Sequence, residues 1–388
     1  MLRVLVLTSC YPDSERPGVG GFVERQLLAL SARNGAQVEV VAPVGMPPFP
    51  LSLAPRYRDE RALPREEVRN GLRIHRPRFI RLPSRLWDRS AAIARAVRPL
   101  LAGIRRRFAF DLIHAEFFWP DGPAAMRLAR DLHVPFSVKA RGGDFQRRVR
   151  QRLSRALVLQ AGTEAAGLLA VSDSLRDAML AAGLPPERIA VHHTGLDRSL
   201  FRLHDRAAAK ATLNVKGPLL LSVGNLIPRK RQRLAIEAMI HLPEATLIIV
   251  GSGPDRAILE KTVRALGLGD RIRLIGRLPQ PLLPQFYAAA DVTLHTAELE
   301  GLANVWVESL ACGTPVVATH ASGASEAIDR PEAGRVVAPD ALAIAGAVRE
   351  LLASAPAPEA VAGAAERFSW ERHAAELEVH LRAALSAG

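Results

Sequence analysis

The sequence predicts an α/β chain built as two doubly wound, Rossmann-like domains facing each other across a cleft. Three observations carry this reading. Short apolar runs, among them Leu2–Thr8, Leu219–Val223 and Thr246–Val250, alternate with stretches of helical periodicity along the whole chain. The runs are continuously apolar, as strands covered on both faces of a parallel sheet must be. At 388 residues the chain also exceeds a single domain of the usual ~100–200 residues.

The first half opens with the strand Leu2–Thr8, a turn-rich segment and a helical pattern from Phe22 to Ser31. Gln37–Ala42, Asp111–His114, Pro135–Lys139 and Leu168–Val171 read as further strands with helices between them. Residues 46–65, with prolines at 47, 48, 50, 55 and 64, read as a long loop of the kind that covers or shapes a site. After the strand Arg188–Val191 a seam is expected near Gly195–Phe201. The second half repeats the rhythm more clearly. Its strands are Leu219–Val223, Thr246–Val250, Arg271–Ile275, Val292–His295, Pro315–Thr319 and Arg335–Ala338. Helical patterns cover Gln232–Ile240, Pro254–Leu266, Leu282–Ala290, Ala303–Ala311 and Ala341–Ala353. The final helix, Trp370–Leu385, is placed to cross back onto the first domain. The expected division is 1–196 with 370–388, and 197–369.

Composition excludes several classes. With 48% hydrophobic and 23% charged residues the chain builds real cores, and disorder is ruled out. No run reaches the ~18 apolar residues of a membrane span. Leu7-Thr8-Ser9-Cys10 imitates a lipoprotein signal, but the apolar run Val4–Leu7 is too short for one. The two cysteines, Cys10 and Cys312, fit a reducing compartment without a disulfide framework, so a cytoplasmic location is expected. The net charge of +13 lies entirely within residues 1–196, and the remainder is neutral. A one-sided basic domain fits an anionic partner such as a membrane surface, a phosphorylated lipid or nucleic acid; its bland reading is an Arg-rich soluble surface. Single-stranded nucleic-acid binding would interleave aromatics with the cations, and Arg147–Arg155 has none after Phe145. No Asp-x-Asp and no spaced histidine pair suggests a metal site, and no G-x-S-x-G suggests a serine hydrolase.

The strongest motif is Glu300-Gly-Leu-Ala-Asn-Val-Trp-Val-Glu308, between the strand ending at His295 and a helix. Gly301 lets the backbone approach a ligand. The amides of Leu302, Ala303 and Asn304 at the helix start suit a diphosphate, and two carboxylates beside that seat accept from sugar hydroxyls. Glu308 is expected about two turns into the helix. A second motif, Val223-Gly-Asn-Leu-Ile-Pro-Arg229-Lys230-Arg231, sets three adjacent cations between a strand and a helix, where they neutralise a pyrophosphate. Val250-Gly-Ser-Gly-Pro254 is a weaker sign of backbone near a ligand. In the first half, Gly18-Val-Gly20-Gly21-Phe22 opens a helix after strand one but is neither a P-loop nor a G-x-G-x-x-G fingerprint. Lys139-Ala-Arg141-Gly-Gly-Asp144 likewise joins a strand to a helix, and Arg141 and Asp144 are expected at the cleft.

Glu300 to Thr319, together with Val223 to Lys230 and the Gly20-Gly21 loop, resembles the retaining glycosyltransferases of family 4, which have the GT-B fold. The likeness spans nearly the whole chain. The Glu-Gly-Leu-Ala-Asn-Val form, Tyr11-Pro12 and Gly21-Phe-Val-Glu-Arg-Gln26 look closest to the cell-envelope polysaccharide members of teichuronic-acid type. The resemblance implies a nucleotide-diphosphate sugar on the second domain and a glycan or lipid-linked acceptor on the first, with no further cofactor and no metal. It implies that Glu300 touches donor-sugar hydroxyls, that Glu308 holds the ribose, and that Lys230 holds the diphosphate; with Asn225, a donor-binding candidate, standing where Arg is frequent, more of the diphosphate charge rests on Arg229, Lys230 or Arg231. Leu302, Ala303, Asn304 and Val305 would supply backbone contacts around sugar and phosphate; Gly276, Arg277 and Leu278 would border the base; Gly20 and Gly21 would close over the phosphates. Glu300, Lys230, Arg141 and Asp144 are then the candidate catalytic residues. The chain departs from the family at Asn225, where Arg is frequent, at Arg231, where Gly is usual, at Arg141, where many members have His, and at Thr194-Gly195, where Asn-Gly is common. A sugar-nucleotide epimerase or hydrolase on the same frame, and a non-enzymatic anionic-polymer binder, are the competing readings.

Overall fold

The computed structural model describes residues 1–15, 18–82 and 88–387. The chain divides into two compact units, Met1–Gly195 with Trp370–Gly388, and Leu196–Ser369.

The first unit contains β1 (Leu2–Leu7), β2 (Ala36–Val41), β3 (Val44–Met46), β4 (Glu66–Arg69), β5 (Leu72–His75), β6 (Arg78–Ile80), β7 (Leu112–Ala115), β8 (Phe136–Ala140), β9 (Gly167–Ala170) and β10 (Ile189–Val191). Eight of these form one sheet in the order β10-β9-β8-β7-β1-β2-β5-β4. β1 pairs parallel to β2 on one side (Val4 opposite Val38) and to β7 on the other (Val6 opposite His114). The exception to parallel pairing is β4, which runs antiparallel to β5. The hairpin between them turns through Asn70 and Gly71, both at positive φ, the Asn-Gly signature of a tight turn. An all-parallel expectation overlooks it. The expected loop 46–65 is instead built: short 3-10 turns at Leu51–Leu53 and Pro55–Tyr57 lead into a helix, Arg58–Ala62, beneath a parallel ribbon of β3 and β6.

The last helix, Trp370–Ser386, belongs to this unit. It buries His373, Leu377, Leu381 and Ala384 along one face. Leu377 and Leu381 join Leu2, Val4, Leu27 and Leu30 in a single core, so residues far apart in sequence close one hydrophobic layer.

The second unit contains β11 (Leu219–Val223), β12 (Thr246–Val250), β13 (Ile272–Gly276), β14 (Val292–His295), β15 (Val316–Thr319) and β16 (Gly334–Val337). They form a sheet in the order β13-β12-β11-β14-β15-β16, parallel throughout. Its core packs Leu220, Leu247 and Val292 from the strands against Ile236, Leu259 and Val348 from helices. Each sheet reverses strand order beside its first strand, between β1 and β7 in one unit and between β11 and β14 in the other. Loops leaving the carboxyl ends of such a strand pair diverge and leave a crevice for a ligand. Both candidate sites lie there.

Candidate functional site

In the second unit, the segment Gly224–Arg231 leaves β11. Gly251 in the next loop has a backbone reason of its own: a Cβ there would lie 1.8 Å from the Gly224 carbonyl oxygen. The Val250–Pro254 segment, read as backbone near a ligand, thus approaches the neighbouring loop and supports it. Pro228–Lys230 forms a 3-10 turn, and Arg231 follows at φ 49. That left-handed conformation explains why glycine suits this position. Thr296 Oγ1 donates to the carbonyls of Lys230 and Arg231, at 2.9 Å each, and holds the turn against the loop after β14. Asn225 is exposed, and its carbonyl accepts from Gln232 Nε2 at 3.0 Å.

The turn presents Lys230 to Glu300. Lys230 Nζ lies 2.6 Å from Glu300 Oε1, and Arg229 Nη1 lies 3.1 Å from the same oxygen. Arg231 turns away to pair with Glu298 at 3.1 Å, so two of the three expected cations converge and the third does not. Lys230 Nζ also stands 3.3 Å from His295 Nε2. His295 is buried and edge-on to Trp306. Burial, then the Lys230 charge, hold its imidazole well below its ordinary pKa, so it is neutral and leaves the site's positive charge to Lys230 and Arg229.

The helix after Glu300 spans Asn304–Ala311, with Ala303 as its capping residue. Glu308 therefore lies little more than one turn into the helix, not two. The first N–H groups of a helix lack intrahelical acceptors, and here they belong to the segment that also carries Glu300, Gly301 and Leu302. Glu308 is buried and accepts a hydrogen bond from Tyr287 Oη at 2.8 Å. Burial and the neighbouring carboxylate push the Tyr287 phenol well above its ordinary value, which keeps it a donor. Gln280 Nε2 reaches Glu308 Oε1 at 3.5 Å. Gly276 ends the edge strand β13, and Gly276, Arg277 and Leu278 lead directly into Gln280. The structure thus joins Glu300, Lys230 and Arg229 in one cluster, and connects Glu308 to the Gly276–Leu278 segment through Gln280.

The first unit's crevice is organised differently. Gly20, at φ 75, precedes the helix Gly21–Ser31; a Cβ on it would lie 2.5 Å from the Cys10 carbonyl oxygen. Its requirement is internal to the turn. A Cβ on Gly21 would meet nothing within 4 Å, so Gly21 borders open space. Asp144, expected at the cleft, has both carboxylate oxygens engaged by backbone amides. Its Oδ2 accepts from the Phe118 amide at 2.7 Å and its Oδ1 from the Arg141 amide at 3.0 Å. It ties two loops together because the backbone there has no strand partner to satisfy its N–H groups.

Arg141 is also largely committed. It forms an ion pair with the fully buried Glu116 and donates to Gln26 Oε1 at 3.0 Å and to the Glu116 carbonyl at 3.1 Å. Its guanidinium lies 4.6 Å from the Phe22 ring centroid. Gln26 Oε1 accepts as well from Lys139 Nζ at 3.0 Å, and Lys139 Nζ lies 2.9 Å from His192 Nδ1. His373, from the last helix, stacks on His192 with ring centroids 3.9 Å apart, and its Nε2 stands 2.9 Å from Gln26 Oε1. Lys139 is fully buried; burial, then the Arg141 charge, hold its amine well below the ordinary lysine range.

The sequence motifs include Gln26 and Lys139 without a role for either, and do not include Glu116, His192 and His373 in this unit or Tyr287 and Thr296 in the other; His295 enters them only as a strand end. One signal was available: Lys139 is one of only five lysines and interrupts an apolar strand. The others became neighbours only through the parallel sheet and the returning helix.

Comparison with known proteins places this geometry. Residues 204–368 match the family model of glycosyl transferases group 1, and residues 18–195 match that of the glycosyl transferase 4-like domain. The chain is 30% identical over 364 residues to a D-inositol 3-phosphate glycosyltransferase of Frankia alni, covering 84% of each chain. It is 28% identical over 340 residues to the putative teichuronic acid biosynthesis glycosyltransferase TuaC of Bacillus subtilis, covering 84% of this chain and 82% of that one. The crystal structure of Anabaena HepE in complex with UDP-glucose superposes with a TM-score of 0.70 at 21% identity, over 98% of this chain and all of that one. The chain belongs to glycosyltransferase family 4 and has the GT-B fold.

Proposed function

We propose that this glycosyltransferase moves a sugar from a nucleoside-diphosphate sugar to a hydroxyl acceptor, with retention at the anomeric carbon. One observation carries the reading: Lys230 and Arg229 converge on Glu300 at the switch point of the second sheet, beside the start of the Asn304–Ala311 helix. That set matches a sugar diphosphate. The cations and helix amides take the phosphates, while Glu300 accepts from sugar hydroxyls. In the donor complex the diphosphate takes Lys230 and Arg229, and Glu300 turns to the sugar.

In the transfer, the anomeric C–O bond to phosphate breaks and its electron pair stays on the phosphate oxygen. Lys230, Arg229 and the helix amides stabilise that charge without a metal ion. The acceptor oxygen bonds to the anomeric carbon from the leaving-group face, and its proton passes to a phosphate oxygen. Glu308, oriented by Tyr287, accepts from the ribose hydroxyls, and Gly276–Leu278 border the base. The first unit takes the acceptor. The likeness to TuaC and to the inositol-phosphate enzymes supports a cell-envelope glycan or lipid-linked acceptor. The basic excess of residues 1–196 supports contact with an anionic membrane surface. Among the described residues no helix is long and apolar enough to cross a membrane.

The test is a panel of nucleotide sugars scored by thermal shift and turnover, with the product's anomeric configuration read by NMR. Retained configuration in a glycoside supports the reading. Inversion overturns the mechanism, and free nucleotide without glycoside, whatever acceptor is supplied, identifies a hydrolase or epimerase instead.

A further inference from the structure

The segment after β3 presents an apolar wedge. Phe49 is 79% exposed, Leu51 57% and Leu53 59%. Large apolar side chains on a soluble surface normally occur singly, yet here they occupy alternate positions of one loop. Ile80, also exposed, lies opposite Met46 in the β3–β6 ribbon at the base of that loop.

The wedge is held in shape. The Ser52 amide donates to the Pro48 carbonyl at 3.2 Å and the Leu53 amide to the Pro50 carbonyl at 2.9 Å. Arg61 donates from one nitrogen to the carbonyls of Ser52 and Ala54. Several of the loop's backbone polar groups are thereby paired within it, which lowers the cost of entering an apolar medium. Behind the apolar tips stands a basic collar. Arg56, Arg58, Arg61, Arg65 and Arg81 are exposed, against the carboxylates of Asp59 and Glu60. The nearby Glu66 and Glu67 are already paired with Arg73 and Arg76. Arg56 and Arg81 lie 4.9 and 5.8 Å from the Tyr57 ring centroid, which sets an aromatic ring at the level of the cations.

We propose that the Phe49–Leu53 loop inserts shallowly into an anionic phospholipid bilayer, with Tyr57 and the surrounding arginines at the headgroup level. Apolar tips, an aromatic ring and a cationic collar follow one another in the order in which a bilayer interface presents acyl chains and acidic headgroups. The inference rests on the membrane contact proposed above for its partner. It assigns that contact to the Phe49–Leu53 loop and its collar rather than to the arginine-rich stretch Arg147–Arg155.

The experiment is co-sedimentation of the full chain with vesicles of phosphatidylcholine alone or mixed with phosphatidylglycerol. Wild type is expected to bind the mixed vesicles and to retain part of that binding in high salt, which screens the collar but not the wedge. Phe49→Ser/Leu51→Ser/Leu53→Ser should lose binding by at least about a hundredfold. Arg56→Gln/Arg58→Gln should weaken it by about tenfold and make the remainder less sensitive to salt. Arg147→Gln/Arg150→Gln should sediment as wild type. An environment-sensitive label at Leu51→Cys, on a Cys10→Ser background, should shift to the blue on mixed vesicles and be quenched by brominated lipid. The inference is overturned if the triple serine variant binds as wild type, if only the Arg147/Arg150 variant loses binding, or if the loop mediates self-association without vesicle binding. Nucleoside-diphosphate affinity is measured alongside. It should be unchanged in every variant, and its absence in all of them would remove the donor reading while leaving the vesicle result standing.

Discussion

The two units share one topology and use it in opposite ways. Each reverses strand order beside its first strand and gathers charge at the carboxyl ends there. In the second unit Lys230 and Arg229 rest on Glu300, whose side chain is still 15% exposed. In the first unit the charges are sealed: Glu116 and Lys139 are fully buried and linked through Gln26 to Arg141, His192 and His373. A cation on a loop can exchange its carboxylate for a phosphate. A cation whose partner is buried cannot leave without stranding a charge. The contrast fits the proposal that the second crevice exchanges Glu300 for the donor's diphosphate, while the first unit's network is fixed in place.

The sharpest way to break this contrast is Arg141→Ala. It removes the cation paired with the buried Glu116 and leaves that carboxylate only Gln26 and His114 as close partners, and should destabilise the first unit by about 3–5 kcal/mol. Thermal melts and hydrogen exchange resolved by unit should show the loss confined there. An Arg141→Ala protein of normal stability but no transfer activity would instead make Arg141 catalytic.

Lys230→Ala tests the other side. It should lower transfer about 10²- to 10³-fold and weaken nucleoside-diphosphate binding, with the melting temperature nearly unchanged. A large stability loss with intact nucleotide affinity would make Lys230 structural, and the two units alike.

The carboxylates separate next. A hydrogen bond to a charged group contributes ~1.5–3 kcal/mol, so Glu308→Gln should weaken nucleoside-diphosphate affinity roughly tenfold to a hundredfold. Glu300→Gln should bind the free diphosphate at least as well as wild type, since its partner Lys230 is released, and lose turnover. Calorimetry beside transfer rates decides; the opposite pattern would exchange the two roles.

A pH dependence follows from Asp121, fully buried at the first unit's switch point, where it accepts from the Ser9 amide at 2.9 Å. Burial raises its carboxyl to about 7. Between the unfolded value near 4 and about 7 the folded chain keeps a proton that the unfolded chain releases, so this residue's contribution to stability falls as pH rises. Relative to wild type, Asp121→Asn should gain about 1 kcal/mol per pH unit across that window and level off above it. Urea melts at pH 5, 6, 7 and 8 measure the difference; a flat difference would refute the raised value.

The smallest expected effect is that of a chelator. Transfer should persist in excess EDTA, because side chains and amides are proposed to carry the leaving-group charge. Complete loss restored by magnesium or manganese would assign that charge to a metal.

Much of this was legible in the chain before folding. The parallel strands and helices of both units outside β3 to β6, and the Glu300–Glu308 motif, follow from local pattern, because apolar period and turn chemistry act over neighbouring residues; the return of Trp370–Ser386 to the first unit was expected from the family resemblance. The hairpin at Asn70-Gly71 is equally local, but its strands Glu66–Arg69 and Leu72–His75 are four residues each and carry charges in place of a continuous apolar run. What tertiary structure alone decided is which charges meet. Nothing in the order of residues brings Gln26 to Glu116, Lys139 and His373, since a parallel sheet joins strands through long crossovers and the last helix returns from the end of the chain. Nor does it show that Arg231 turns to Glu298 while its neighbour Lys230 reaches Glu300: the left-handed turn at Arg231 sets that, and Thr296 from the loop after β14 holds it in place.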